Sequence, residues 1–140
     1  MSNPGPATTV TGNAQPLNSS QAIRLLGVVK GVNLNATGDT PVQIVCSTTF
    51  SVSNVILTNA SISLTNALAG VFTAPAAGGI AIVANAALSA ATGPTIVSQR
   101  TVASTAALTN VPNLFVNVGT AQGAAATADI YIYGYDFSPV

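Results

Sequence analysis

Six side chains in this chain of 140 residues carry a formal charge: Arg24, Lys30 and Arg100 against Asp39, Asp129 and Asp136. His and Glu are absent from the sequence. General acid–base catalysis near neutral pH draws on His or on a carboxyl group tuned by its surroundings. A nucleophilic Ser or Thr hydroxyl needs a base beside it, and Lys30 is the one lysine available for that role. The expectation is that the chain is not an enzyme. Asp129 and Asp136 stand seven positions apart around an extended segment, so in a regular strand their side chains leave opposite faces and do not share a metal. Three scattered aspartates also fall short of the oxygen cage of a calcium loop. No cofactor and no metal are expected.

Cys46 is the sole cysteine, which excludes an intrachain disulfide. Val42, Ile44 and Val45 beside it read as a strand with a buried thiol, and no cation stands near it in sequence to lower its pKa. Three cations spread from position 24 to position 100 do not make a patch that neutralises several phosphates, so nucleic acid is not an expected partner. Gly78-Gly79 leads into the strand-like Ile80-Ala-Ile-Val83 and offers no helix N-terminus to an anion. The residues left with a capacity to bind are aromatic. Tyr131, Tyr133, Tyr135 and Phe137 alternate along the last segment, where flat rings would either serve a subunit contact or stack on a sugar. The subunit contact is the preferred reading.

Such a row needs a strand to present it. From Ala128 to Phe137 the two-residue period puts Ile130 and Ile132 on one face and the four aromatics on the other. Upstream, LLGVVKGVNL (25–34) reads as a strand with Gly27 and Gly31 as bulge points, closed by a turn over 35–39. PVQIV (41–45) alternates, and so does the run from Phe50 to Thr65, in which Phe50 with Val52 and Ala60 with Ile62 and Leu64 mark two half-buried strands. Residues 69–84 predict a hairpin turning over 74–79. NAALSAA (85–91) predicts a short helical turn, 95–102 a strand carrying Arg100, and 113–118 a strand with Leu114, Val116 and Val118 on one side. Eight or nine short strands separated by Gly, Pro and Asn point to an all-β fold, an antiparallel β-sandwich or jelly roll, as a single domain over 21–140. Residues 1–20 hold Pro4, Pro6 and Pro16 but only Val10 and Leu17 as large aliphatics, which predicts a flexible arm.

Only 4% of the residues are charged, against about 25% in an ordinary soluble domain. A free monomer is normally kept soluble by a charged, mixed surface. Much of this surface is therefore expected to be covered by partners or by copies of the same chain. A membrane span over 68–86 is opposed by Pro75, the central glycine pair and the lack of flanking Lys or Arg. The first twenty residues lack the basic start and apolar core of a secretory signal. Without such a signal the Asn-X-Ser/Thr triplets at Asn18, Asn35 and Asn59 read as products of an Asn-, Ser- and Thr-rich composition.

The segment Gly119-Thr-Ala-Gln-Gly-Ala-Ala-Ala-Thr-Ala-Asp129, running into Ile-Tyr-Ile-Tyr-Gly-Tyr135, resembles the ending of small virion structural proteins of tailed bacteriophages. Leu34-Asn-Ala-Thr-Gly-Asp-Thr40 and Thr58-Asn-Ala-Ser-Ile-Ser-Leu64 are similar to that group as well, so the resemblance spans most of 28–137. It implies a place on the virion surface, on the head rather than the tail. The implied role is that of a decoration or cement protein, typically a homotrimer, that binds the major capsid protein and stabilises the shell. On that reading Pro4, Pro6, Val10, Pro16 and Leu17 belong to a capsid-anchoring arm, and Tyr131, Tyr133, Tyr135 and Phe137 to the subunit interface. Two alternatives stand beside it: a fibre module that binds glycans through the same tyrosines, and a self-assembling coat protein.

Overall fold

A computed structural model describes residues 23–45 and 48–137. The expected arm, with Pro4, Pro6, Val10, Pro16 and Leu17, and the Cys46 thiol lie outside the described residues. Two antiparallel sheets pack face to face, and no helix occurs among the described residues. In chain order the strands are β1 (Arg24–Asn33), β2 (Gly38–Gln43), β3 (Thr49–Thr58), β4 (Leu68–Ala74), β5 (Gly78–Ala87), β6 (Ser98–Arg100), β7 (Leu108–Thr109), β8 (Asn113–Thr120) and β9 (Thr127–Asp136). The first sheet runs β1-β9-β3-β6, with the two residues of β7 pairing on β3 as well, and the second runs β2-β8-β4-β5.

Counting β6 and β7 as one interrupted strand, the first strand pairs with the last, the second with the second-last, the third with the third-last, and the middle two with each other. That is a two-stranded ribbon rolled up on itself, the strand order of a jelly roll. The core between the sheets is aliphatic, with Leu26, Val42, Val55, Leu57, Leu114, Val116 and Ile132 all but sealed from solvent and Phe50 as its largest ring. Alternation put most of these inside. Val42 and Ile44 are buried around exposed Gln43, and Leu114, Val116 and Val118 are buried along β8.

Bulges do the rest of the shaping. Pairing of β1 with β9 skips between Leu25 and Gly27 and between Val29 and Val32, at the two glycines expected to mark irregularity. A further bulge between Val52 and Asn54 changes the parity of β3: Phe50 and Val52 face the core on even positions, Val55 and Leu57 on odd ones. A side-chain period of two carries the inward set outward whenever one residue is inserted, so the bulge is needed for both halves of β3 to serve one core.

Two expectations are corrected. Residues 85–91 form no helical turn: 85–87 complete β5, where Ala69 and Leu68 pair with Ala86 and Ala87, and the Leu88 amide donates to the Ala67 carbonyl at 3.0 Å. Alanine favours helix only by tenths of a kcal/mol per residue, which does not compete with an edge of β4 that offers backbone partners. Residues 60–64 form no strand either. Asn59 takes a left-handed φ of 56° and ends β3, and the following loop buries Ala60 and Leu64 while exposing Ile62. The expected hairpin is present, and its turn is tight: Ala76 and Ala77 have φ of 59° and 57°, and the Gly78 amide donates to the Pro75 carbonyl at 3.1 Å.

Candidate functional site

Strand β9 occupies the middle of the first sheet, paired on one side with β1 and on the other with β3. Every residue of β9 from Asp129 to Asp136 pairs in turn with β3, so strict alternation holds: Ile130 and Ile132 are buried inside, and Tyr131, Tyr133 and Tyr135 stand outside. Directly paired residues share a face, which places Leu25 and Val28 of β1 and Asn54 and Ile56 of β3 beside Tyr133 and Tyr131. The result is an outer face of rings and aliphatic side chains. Tyr131 and Tyr133 are half-buried among these neighbours, Tyr135 is 38% exposed and Phe137 55% exposed. The rings of Tyr135 and Phe137 stack with centroids 6.3 Å apart and planes within 15°.

Charge touches this face at its rim, where the Lys30 ammonium stands 5.9 Å from the centre of the Tyr131 ring. The buried Asp129 on the same side of β9 is occupied. Its Oδ1 accepts from the Gly31 amide at 2.8 Å and its Oδ2 from Asn59 Nδ2 at 3.2 Å, so it fastens the second bulge of β1 to the end of β3. Asp136 leaves the opposite face of β9 and forms an ion pair with Arg24 at 2.8 Å. The two aspartates are thus apart, as their spacing indicates, and each has a structural partner. Among the described residues no group of three His, Cys, Asp or Glu side chains is close enough to hold a metal, and no helix is long and apolar enough to cross a membrane.

The outer face of the second sheet is organised differently. Asp39 of β2 pairs with Asn117 of β8, and Asn117 with Gly70 of β4. Asn117 Nδ2 donates to Asp39 Oδ1 at 2.9 Å, Asn85 Nδ2 donates to Asn117 Oδ1 at 3.0 Å, and Asp39 Oδ2 accepts from the Ala76 amide at 2.8 Å. This polar row crosses the whole sheet and satisfies itself. It closes over Gly70 because a Cβ there would collide with the Val83 carbonyl oxygen and the Asn85 nitrogen.

Gln122 is a residue that the strand pattern does not single out. It is 6% exposed; its Oε1 accepts from the Asn66 and Ala67 amides at 3.0 and 3.1 Å, and its Nε2 donates to Thr65 Oγ1 at 3.2 Å. It ties the 59–67 loop to the loop before β9. Its only sequence signal is a lone amide among Gly, Ala and Thr. Comparison of the chain with protein-family models, with curated proteins and with solved structures finds no match in any of the three.

The arrangement brings together Tyr131, Tyr133, Tyr135 and Phe137 and leaves all three aspartates engaged in holding strands. What it offers chemically is ring surface and phenolic hydroxyls that have no hydrogen-bond partner among the described residues.

Proposed function

We propose that the chain is a structural protein of a bacteriophage virion, a head decoration or cement protein that self-associates and binds the major capsid protein on the outside of the shell. The observation that carries the reading is the outer face of β1, β9 and β3, where Leu25, Val28, Ile56, Tyr131 and Tyr133 adjoin and the only exposed charge beside the rings among the described residues is Lys30 at the rim, Asp129 being buried and hydrogen-bonded. Interfaces are distinguished by aromatic enrichment and charge depletion at their centre. A jelly roll adds support without deciding the matter, since viral capsid domains, lectins and cupins share the fold and function resides in sites grafted on it. The sequence holds no His with which to build the metal centre of a cupin-like enzyme.

Light scattering on the full chain tests the first half. A discrete oligomer, a trimer for choice, that a Tyr133→Asp substitution converts to a folded monomer supports the reading; a wild-type monomer at high micromolar concentration refutes it. Binding to empty capsid shells tests the second half. Saturable binding lost on deletion of 1–20 supports an anchoring arm, and undiminished binding removes it. Unbounded polymers of the purified chain would identify a coat protein instead.

The exposed stack of Tyr135 on Phe137 and phenolic hydroxyls without a hydrogen-bond partner among the described residues favour one second reading, a glycan-binding fibre module. Glycan-array binding abolished by Tyr135→Ala with the oligomer intact would establish it.

A further inference from the structure

Arg24 is paired with Asp136, and the Lys30 ammonium lies over Tyr131, but Arg100 has no carboxylate partner among the described residues. Its position follows from register. Arg100 pairs with Val55, whose side chain is in the core, so it projects from the inner side of β6 towards the second sheet. There its Nη2 donates to the Ala86 and Ala87 carbonyls of β5 at 3.4 and 3.1 Å. These bonds cap the edge of β5 and leave Nε and Nη1 without a partner among the described residues. Burial pushes the pKa of Arg100 below the ordinary arginine value, the mark of a cation short of solvation.

Beside the guanidinium, between β5 and the 99–103 segment, opens a cleft of about 350 Å³, within the range of small-molecule sites. It is lined by Ala84, Ala86 and Ala103, with the 99–101 segment along one side. We propose that this cleft binds a monoanionic carboxylate, with Arg100 as its charged anchor. One half-buried positive charge balances one negative charge. A phosphate dianion would bring a second charge into alanine walls with nothing to pair it. The carboxylate is carried either by an acidic sugar or by an Asp or Glu side chain of another protein. This inference stands apart from the aromatic face, since Arg100 pairs with the inward Val55 and leaves the other side of the first sheet.

The test follows the Arg100 Nε–H and the Gln99 and Thr101 amides of the full chain by NMR. Glucuronate, N-acetylglutamate α-amide, glucose and inorganic phosphate are titrated separately. Saturable shifts with either carboxylate, and none with glucose or phosphate, are expected. Saturation by glucuronate alone assigns the sugar source, and saturation by the blocked glutamate assigns the protein source. Arg100→Gln should weaken binding about tenfold or more. The absence of a saturable shift with both carboxylates, an equal response to phosphate, or unchanged binding by a folded Arg100→Gln chain overturns the proposal. Should Arg100→Gln fail to fold, the wild-type preference for carboxylate over glucose and phosphate decides.

Discussion

The two outer faces of this sandwich are built from the same alternation and turned to opposite ends. On the second sheet, Asp39, Asn117 and Asn85 hydrogen-bond to one another across the strands and draw β5 down over Gly70. On the first, Tyr131, Tyr133, Leu25, Val28 and Ile56 present rings and methyl groups whose phenolic hydroxyls have no protein partner among the described residues. One face completes its own bonding, and the other leaves its hydroxyls to solvent. In a chain with six charged residues, the two faces are therefore told apart by hydrogen-bond satisfaction rather than by charge.

The contrast breaks most visibly at Gly70. Gly70→Ala places a Cβ against backbone atoms that have no room to give, and we expect a loss of about 3 kcal/mol or more in urea unfolding. A neutral result would mean that the polar face does not depend on close approach of β5. Asn117→Leu comes next. It strips Asp39 and Asn85 of a shared partner at a site only 9% exposed, and the expected cost is about 2 kcal/mol in the same measurement. Tyr133→Ala should cost the isolated chain only about 1 kcal/mol, while weakening self-association at least tenfold by sedimentation. Equal losses of stability and association would erase the difference between the faces.

A smaller effect of opposite sign is expected at the hairpin turn. Ala76 and Ala77 both hold left-handed φ, where Asn-Gly is the favoured pair. The double change Ala76→Asn with Ala77→Gly should raise stability by about 1 kcal/mol in thermal unfolding. The smallest effect concerns salt. An association through uncharged rings should change its Kd less than about twofold between about 0.05 and 0.5 M NaCl, and a steep salt dependence would move the interface away from the aromatic face.

The sequence made some of this plain and hid the rest for physical reasons. Strand β9 was legible because ten residues alternate without interruption, and the hairpin because Pro75 and the glycine pair punctuate it. Strand β3 was only half legible: its bulge shifts the buried set from Phe50 and Val52 to Val55 and Leu57, and an insertion in pairing leaves no mark in composition. The false strand at 60–64 shows the converse, since Ala60 and Leu64 are buried by a loop that Gln122 holds from 55 or more positions away. The aromatic row was visible as a row, but its neighbours Leu25 and Ile56 were not, because register across strands decides them. Arg100 looked like one cation among three, and only the rolled-up topology brings it to the carbonyls of β5.

The rolled ribbon also constrains when the chain can fold. In the first sheet β1 and β3 do not touch; β9, made last, lies between them. In the second, β8 likewise separates β2 from β4. A nascent chain emerging from the ribosome therefore has the outer strands of both sheets but the centre of neither until about six-sevenths of the described chain has been synthesised. Until then the hairpin of β4 and β5 is the one extended pairing of neighbouring strands it can close, and the exposed edges of the rest must wait without binding their equals on adjacent nascent chains. For a chain with so little charge to keep such intermediates apart, the moment at which the last strand slots into the middle separates a closed sandwich from one whose open edges invite aggregation.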